Sequence, residues 1–202
     1  MKHWRRDRPQ IKVHPNLPSH LGGHLYMDNT DTYILKYCKE NLEINSIIDV
    51  GCGLGRQVEL ALDLGLKGFG IDGDFSLKYE EMKDWVSPVD IVIHDFSEGI
   101  YELKETYDLA LSVEFLEHIE EKYLENVFSI FRRCRYVFVA SAGVGQPGHH
   151  HVNCQDQKYW IEKFKEYNFN LSEDITNHLR SNSSLTATRE RGLFFINKGL
   201  IL

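Results

Sequence analysis

Residues 47 to 56 read Ile-Ile-Asp-Val-Gly-Cys-Gly-Leu-Gly-Arg, an apolar run closed by three alternating glycines and followed by a helical pattern. No other stretch restricts the possible folds as strongly. A buried strand that turns through Gly51, Gly53 and Gly55 into a helix leaves bare backbone beside a helix N-terminus, where a ligand can lie against the main chain. In the nicotinamide dinucleotide fingerprint the second and third glycines are three apart, whereas here they are two apart. Taken alone, the turn serves either chain reversal or a nucleotide-like ligand.

The remaining sequence alternates short apolar runs with helical patterns. An amphipathic helix over 31–40 sets Ile34, Leu35 and Cys38 on one side. A buried strand over 46–50 follows, then a helix over 57–64, a strand over 68–72 and a helix over 77–85. Strands at 91–94, 109–113 and 136–140 come next, the last two separated by a helix over 122–132. The end of the chain reads as a helix over 157–167, a strand over 169–171, a polar helix over 174–180 and a strand over 192–197. This order predicts an α/β, Rossmann-like, doubly wound sheet of seven mostly parallel strands with helices on both faces, the last strand antiparallel. There are no repeats and no Pro/Gly/Ser-rich linker, and 202 residues suffice for one core but hardly two. The expected organisation is a single domain over 1–202, with residues 1–30 as an N-terminal arm or lid.

The chain is 42% hydrophobic and 26% charged, a balance that predicts a folded protein rather than a disordered one. Its apolar runs are too short to cross a bilayer, and the basic start at 1–8 has no apolar core behind it. The expectation is a cytoplasmic protein without membrane insertion. Cys38, Cys52, Cys134 and Cys154 have no paired short spacing, which argues against a disulfide framework or a zinc knuckle. A formal charge of −7 makes nucleic acid an unfavoured partner. The exception is local: Lys2, His3, Arg5, Arg6, Arg8 and Lys12 form either a solvated tail or a binding arm.

Acids recur where strands end: Asp49 before the glycines, Asp72 after the second strand with Gly73 beside it, Asp95 followed by Phe96 after the third, and Glu114 after the fourth. Singly, each acid is equally an N-cap or loop residue. In order and together with Gly51, Gly53 and Gly55, they make the chain resemble the class I S-adenosylmethionine-dependent methyltransferases from about Gly22 onwards. That resemblance implies S-adenosylmethionine as cofactor. Asp49 would then anchor the methionine end and Asp72 accept the ribose hydroxyl protons. Asp95 would accept the adenine amino group, with Phe96 packing on the ring, and Gly73 and Glu114 would complete the site. Arg56 is either a solvated first-turn residue or a carboxylate clamp.

Methyl transfer is an in-line displacement whose leaving thioether needs no acid, so a hydroxyl acceptor asks the protein for alignment and removal of a proton. Histidine suits that second task. His118, four residues after Glu114, is either oriented by that carboxylate across one helical turn or packed under the sheet edge while Glu117 caps the helix. His149, His150 and His151 follow the fifth strand in a loop that should overhang the acceptor. His150 and His151 are the candidate base or hydrogen-bonding groups, His149 reads as solvated, and Asn153 is a candidate substrate contact. No metal is expected, because consecutive histidines lack an acidic partner at fixed spacing.

The Gly-His-His-His-Val-Asn loop, Tyr159-Trp160 and the Leu-Phe-Phe of the final strand also resemble small methyltransferases found with glycosyltransferases in polysaccharide gene sets of bacteria and large viruses. This resemblance implies O-methylation of a sugar or glycan hydroxyl, a deoxyhexose such as rhamnose being one candidate, and association with glycosyltransferases. Tyr26, Tyr159 and Trp160 are then candidates to stack on a sugar face, or else wall residues. Nucleic-acid or protein methylation and a non-catalytic cofactor-binding module remain the competing readings.

Overall fold

The computed structural model describes residues 14–23 and 29–200. Its strands are β1 (Ser46–Val50), β2 (Lys67–Asp72), β3 (Ile91–Ile93), β4 (Tyr107–Val113), β5 (Cys134–Ala140), β6 (Phe169–Leu171) and β7 (Leu193–Asn197). They form one sheet in the order β3-β2-β1-β4-β5-β7-β6. The pairings from β3 through β5 are parallel, and β7 inserts antiparallel to both β5 and β6. The helices are α1 (Thr32–Leu42), α2 (Arg56–Asp63), α3 (Leu124–Phe131), α4 (Gln157–Glu166), α5 (Glu173–Asn182) and α6 (Thr186–Arg191).

Strand periodicity divides the core into two layers. Ile48, Val50 and Ala110 face the layer that holds Val127, Phe128 and Phe131 of α3 and Phe164 of α4. Ile47, Leu109 and Leu111 face the opposite layer, with Ile34, Leu35 and Cys38 of α1, Ala61 of α2 and Leu179 of α5. Both faces of the central strands are covered, which is why they read as continuous apolar runs. Phe164 is fully buried and lies parallel to Phe195 with ring centroids 4.0 Å apart. Phe128 meets its edge at 4.7 Å. Phe164→Ala should cost about 3–5 kcal/mol. At roughly 2–4 °C per kcal/mol, scanning calorimetry should record a fall of about 10 °C in Tm.

Three elements differ from the sequence expectation. Residues 77–85 form no α-helix; two 3-10 turns, Phe75–Lys78 and Glu80–Met82, occupy the segment. Asp74 caps the first turn by accepting from the Ser76 amide, Tyr79 is extended, and Leu77 and Met82 plug a small cluster with Cys52 and Ile91. A three-residue β3 offers no long face for a helix to cover. The 122–132 helix begins only at Leu124, after a 3-10 turn over Glu121–Tyr123. Helix α6, absent from the expectation, returns the chain from α5 to β7.

The sheet reverses its order between β1 and β4, so the crevice for a ligand opens above the carboxyl ends of these strands. No helix among the described residues is long and apolar enough to cross a membrane. The basic residues between 2 and 12 lie outside the described residues, as does Tyr26.

Candidate functional site

A cavity of about 450 Å³ occupies that crevice. Asp49, Gly51, Gly53, Asp72, Gly73, Asp95 and Phe96 line one end; Glu114, Glu117, His118 and His149 to His151 line the other. Residues 19–23 complete the lining from the N-terminal side.

The glycine bend has backbone angles that fit its sequence. Gly51, Gly53 and Gly55 have φ of 79°, 51° and 75°, the left-handed region. A Cβ on Gly51 would come within 2.2 Å of the Phe115 ring, and one on Gly55 within 2.8 Å of Val89. The bend is tied to the next strand where the amides of Gly51 and Cys52 donate to the Ile71 carbonyl. Gly55 caps α2 without a side chain, so the first turn of that helix presents its amides beside the bend.

Asp72 is buried and accepts two amide hydrogen bonds, from Gly53 at 2.8 Å and from Asp74 at 2.9 Å. Its carboxylate thereby fixes the bend relative to β2. Asp49 is buried close by, and burial together with the charge of Asp72 pushes its pKa up to about 7. Two interior carboxylates this close favour a cationic ligand. Asp95 accepts from the Ser97 amide at 2.8 Å and pairs with His20 at 2.8 Å. Burial pushes the Asp95 carboxyl up, but the Ser97 amide and hydroxyl and the His20 imidazole outweigh it and hold the pKa below the ordinary value. Phe96 is buried beneath the His94 ring, which meets it edge-on at 5.1 Å.

At the other end Glu114 does not pair with His118, so the first of the two alternatives for that histidine does not hold. The chain after β4 turns as a 3-10 segment, Leu116–His118, with Glu114 at φ 52°. The Glu114 carboxylate accepts from Arg191 at 2.9 Å, and Arg191 also donates to the Ser141 carbonyl. The carboxylate that joins His118 is that of Glu117, which lies with His118 and His151 so that one donor atom of each falls within 4.8 Å of the others. Burial and the charge of Glu114 push the Glu117 pKa up to about 8. Burial and the neighbouring His151 push the His118 pKa down to about 4.

The loop after β5 is docked against this turn. The amides of Val152 and Asn153 both donate to the Glu117 carbonyl. His118 bonds through Nδ1 to the His149 carbonyl, and His151 through Nδ1 to the Gln146 carbonyl. His149 is exposed to solvent, as expected, and its Nε2 bonds to the Leu21 carbonyl at 2.8 Å. His150 takes a left-handed conformation, φ 47°, with its ring 5.8 Å from that of His20.

The expected acceptor contacts are placed elsewhere. Asn153 is buried outside the cavity lining, its Oδ1 accepting from Gln155. Tyr159 turns its hydroxyl to Glu121, and Trp160 is buried against a separate, smaller cavity. Both sit on α4 and pack on the α3 layer, because the apolar face of that helix is needed for the core. Sequence reasoning did not find His20, Leu21 or Arg191. No local pattern marks them, since each acts on a group between 50 and 128 positions away in the chain.

A glycine bend at the switch point, flanked by acids on successive strand tips, together with a sheet whose seventh strand inserts antiparallel, defines the class I S-adenosylmethionine-dependent methyltransferase fold. Residues 48–137 match the methyltransferase domain family. The ribosomal protein L11 methyltransferases of Thermotoga maritima and Thermotoga petrophila are each 30% identical over 131 residues, 64% of this chain. The match spans about half of those relatives' length, 48%. Among solved structures, a sugar N-methyltransferase from Streptoalloteichus superposes with TM-score 0.60 at 8% identity, covering 82% of this chain and 85% of that one. The methyltransferase domain of bacterial CtHen1 gives 0.58 at 18%, covering 82% and 95%. Magnesium protoporphyrin IX methyltransferase from Synechocystis PCC 6803, with S-adenosylhomocysteine bound, gives 0.57 at 15%, covering 82% and 81%.

S-adenosylmethionine is the cofactor of this class, and the residues present fit it. A left-handed glycine bend that lines the cavity with bare backbone at Gly51 and Gly53, and an interior pair of carboxylates, suit a cationic adenosyl donor. Asp49 gives a test through stability. Its pKa is near 7 when folded but 3.8 in an unperturbed carboxyl, so from pH 4 to 7 the unfolded chain releases a proton that the folded chain keeps. Stability of the ligand-free protein therefore falls across that window, and the full cost applies above it. Asp49→Asn should raise Tm at pH 8 by about 2–4 °C per kcal/mol recovered, with little change at pH 4, while weakening donor binding. Thermal melts at the two pH values and a donor titration check this.

Proposed function

We propose that the protein transfers a methyl group from S-adenosylmethionine to a hydroxyl of a sugar or glycan. One observation carries this reading: a single cavity joins the acidic, glycine-lined end to a wall of three imidazoles from His118, His150 and His151. When bound, the cofactor supplies an electrophilic methyl on a sulfonium. Asp49 and Asp72 hold the cationic, ribose-bearing part; Asp95, Gly73 and Phe96 receive the adenine; Glu114 fixes the far side through Arg191. The imidazole wall orients the acceptor hydroxyl and takes its proton, a task worth roughly a hundred- to ten-thousand-fold. Residues 19–23 exclude water from the same space.

A sugar acceptor also agrees with the Streptoalloteichus sugar N-methyltransferase among the structural neighbours. Association with glycosyltransferases in the cytoplasm completes the proposal. The second reading is a protein acceptor, favoured by the ribosomal protein methyltransferases among the relatives. Labelled donor incubated separately with deoxyhexoses and oligosaccharides, ribosomal proteins and RNA should label the sugar panel alone. Label in protein or RNA, with none in sugar, overturns the proposal.

A further inference from the structure

Glu117 is fully buried, and neither carboxylate oxygen has a hydrogen-bond partner among the described residues, although the amides of Glu117 and Ala142 lie near enough to lower its pKa in part. An interior carboxyl left in this condition is costly unless something supplies a partner. The nearby Arg191 is committed elsewhere, its guanidinium bonded to Glu114, Glu190 and the Ser141 carbonyl. Arg191 therefore makes no hydrogen bond to Glu117.

Both neighbouring imidazoles are held in one way. Their Nδ1 atoms face carboxyl-free backbone: His118 reaches the His149 carbonyl at 2.7 Å and His151 the Gln146 carbonyl at 2.9 Å. A carbonyl only accepts, so each Nδ1 carries the proton and each Nε2 keeps a lone pair. The Cys154 thiol touches the same His151 nitrogen at 3.5 Å and leaves this tautomer in place. Imidazoles whose second nitrogen donates to a backbone carbonyl are the usual supporting arrangement for metal-binding histidines.

The geometry points to a binding site for one divalent first-row transition ion, held by Glu117, His118 and His151 at the acceptor end of the cavity. The three donor atoms lie within 4.8 Å of one another, close enough for one ion to draw them together. Two imidazoles and a carboxylate suit manganese, iron, cobalt or zinc better than magnesium or calcium, which prefer all-oxygen sets. The site is preassembled because the Glu117 carbonyl accepts both loop amides, which fixes the turn and the loop to each other. Three protein ligands leave coordination positions open, and all three residues line the cavity, so the open side faces the space for the acceptor. With the ion bound, the Nε2 lone pairs of His118 and His151 are engaged. The ion would then coordinate and acidify the acceptor hydroxyl, and His150 would be left to take the proton; that use rests on the proposed function, the site itself does not.

The test uses the whole chain, stripped with a chelator and titrated with cobalt(II) chloride alone, read by visible absorption and calorimetry. One saturable ion per chain is expected. Glu117→Gln and His151→Ala should each weaken uptake at least about 10–100-fold, a loss that even outer-shell changes produce. His178→Ala, on α5 and bonded to Tyr33, should leave it unchanged. If Glu117→Gln fails to fold, the half-buried His151 decides the matter. No uptake, or uptake indifferent to both variants, overturns the site. S-adenosylhomocysteine titrated into the same samples separates the two claims. Donor uptake without the ion overturns only the metal site, and ion uptake without the donor overturns only the methyltransferase reading.

Discussion

Asp72→Ala is expected to raise the dissociation constant for S-adenosylhomocysteine by at least about 100-fold, the largest loss of any single change at the cofactor end. The carboxylate accepts from the Gly53 amide at 2.8 Å and the Asp74 amide at 2.9 Å, so it builds the bend as well as being the proposed partner of the ribose. Hydrogen bonds to a charged group are worth about 1.5–3 kcal/mol each, and every 1.4 kcal/mol is a factor of ten. Alanine leaves both amides without their acceptor and lets the bend relax away from β2. Removal of this charge also relieves Asp49, whose pKa should fall towards the ordinary carboxyl range because one of the two causes of its elevation is gone. Calorimetric titration, with circular dichroism to confirm that the variant folds, checks the loss. Donor binding within about threefold of the parent would show that Asp72 holds only its own turn.

His151→Ala is expected to reduce turnover by about a hundred- to ten-thousand-fold while S-adenosylhomocysteine binds as before. The ring is held through Nδ1 by the Gln146 carbonyl and lies flat on Gly148, where a Cβ would come within 2.0 Å of Nε2. That close seat fixes the ring where it meets Glu117 and His118. His118→Ala should behave similarly, with a further effect on the loop because the tie to the His149 carbonyl is lost. Single-turnover assays that separate donor affinity from methyl transfer are the measurement. Full turnover in both variants would remove the histidine wall from the chemistry.

The fold was legible where burial imposes a period on the sequence. Strands β1 and β6 begin and end at the residues expected, and the antiparallel last strand follows from its late return. Where the chain packs as a plug rather than a regular layer, as at Leu77 and Met82, a helical spacing of apolar residues does not produce a helix. The acidic, glycine-lined end of the cavity was legible because its constraints are local: a glycine must sit where φ is positive, and an acid must sit at a strand tip. The acceptor end was not. The relation of Glu117 to His118 and His151 depends on a 3-10 turn in place of a helix, and on Val152 and Asn153 of a later loop folding back onto the Glu117 carbonyl. For Tyr159 and Trp160 the sequence leaves sugar platform and wall residue both open; their helix turns them to the α3 layer.

An adenosyl donor is expected to lie across the Gly51–Gly55 bend between Asp49 and Asp72. Calorimetric titration of S-adenosylhomocysteine into the intact, folded protein tests it most directly. One site per chain is expected, with affinity on the order of micromolar, about −8 kcal/mol, and with heat that disappears in Asp72→Ala. Absence of any uptake by the folded parent protein, or uptake that survives Asp72→Ala unchanged, would contradict it.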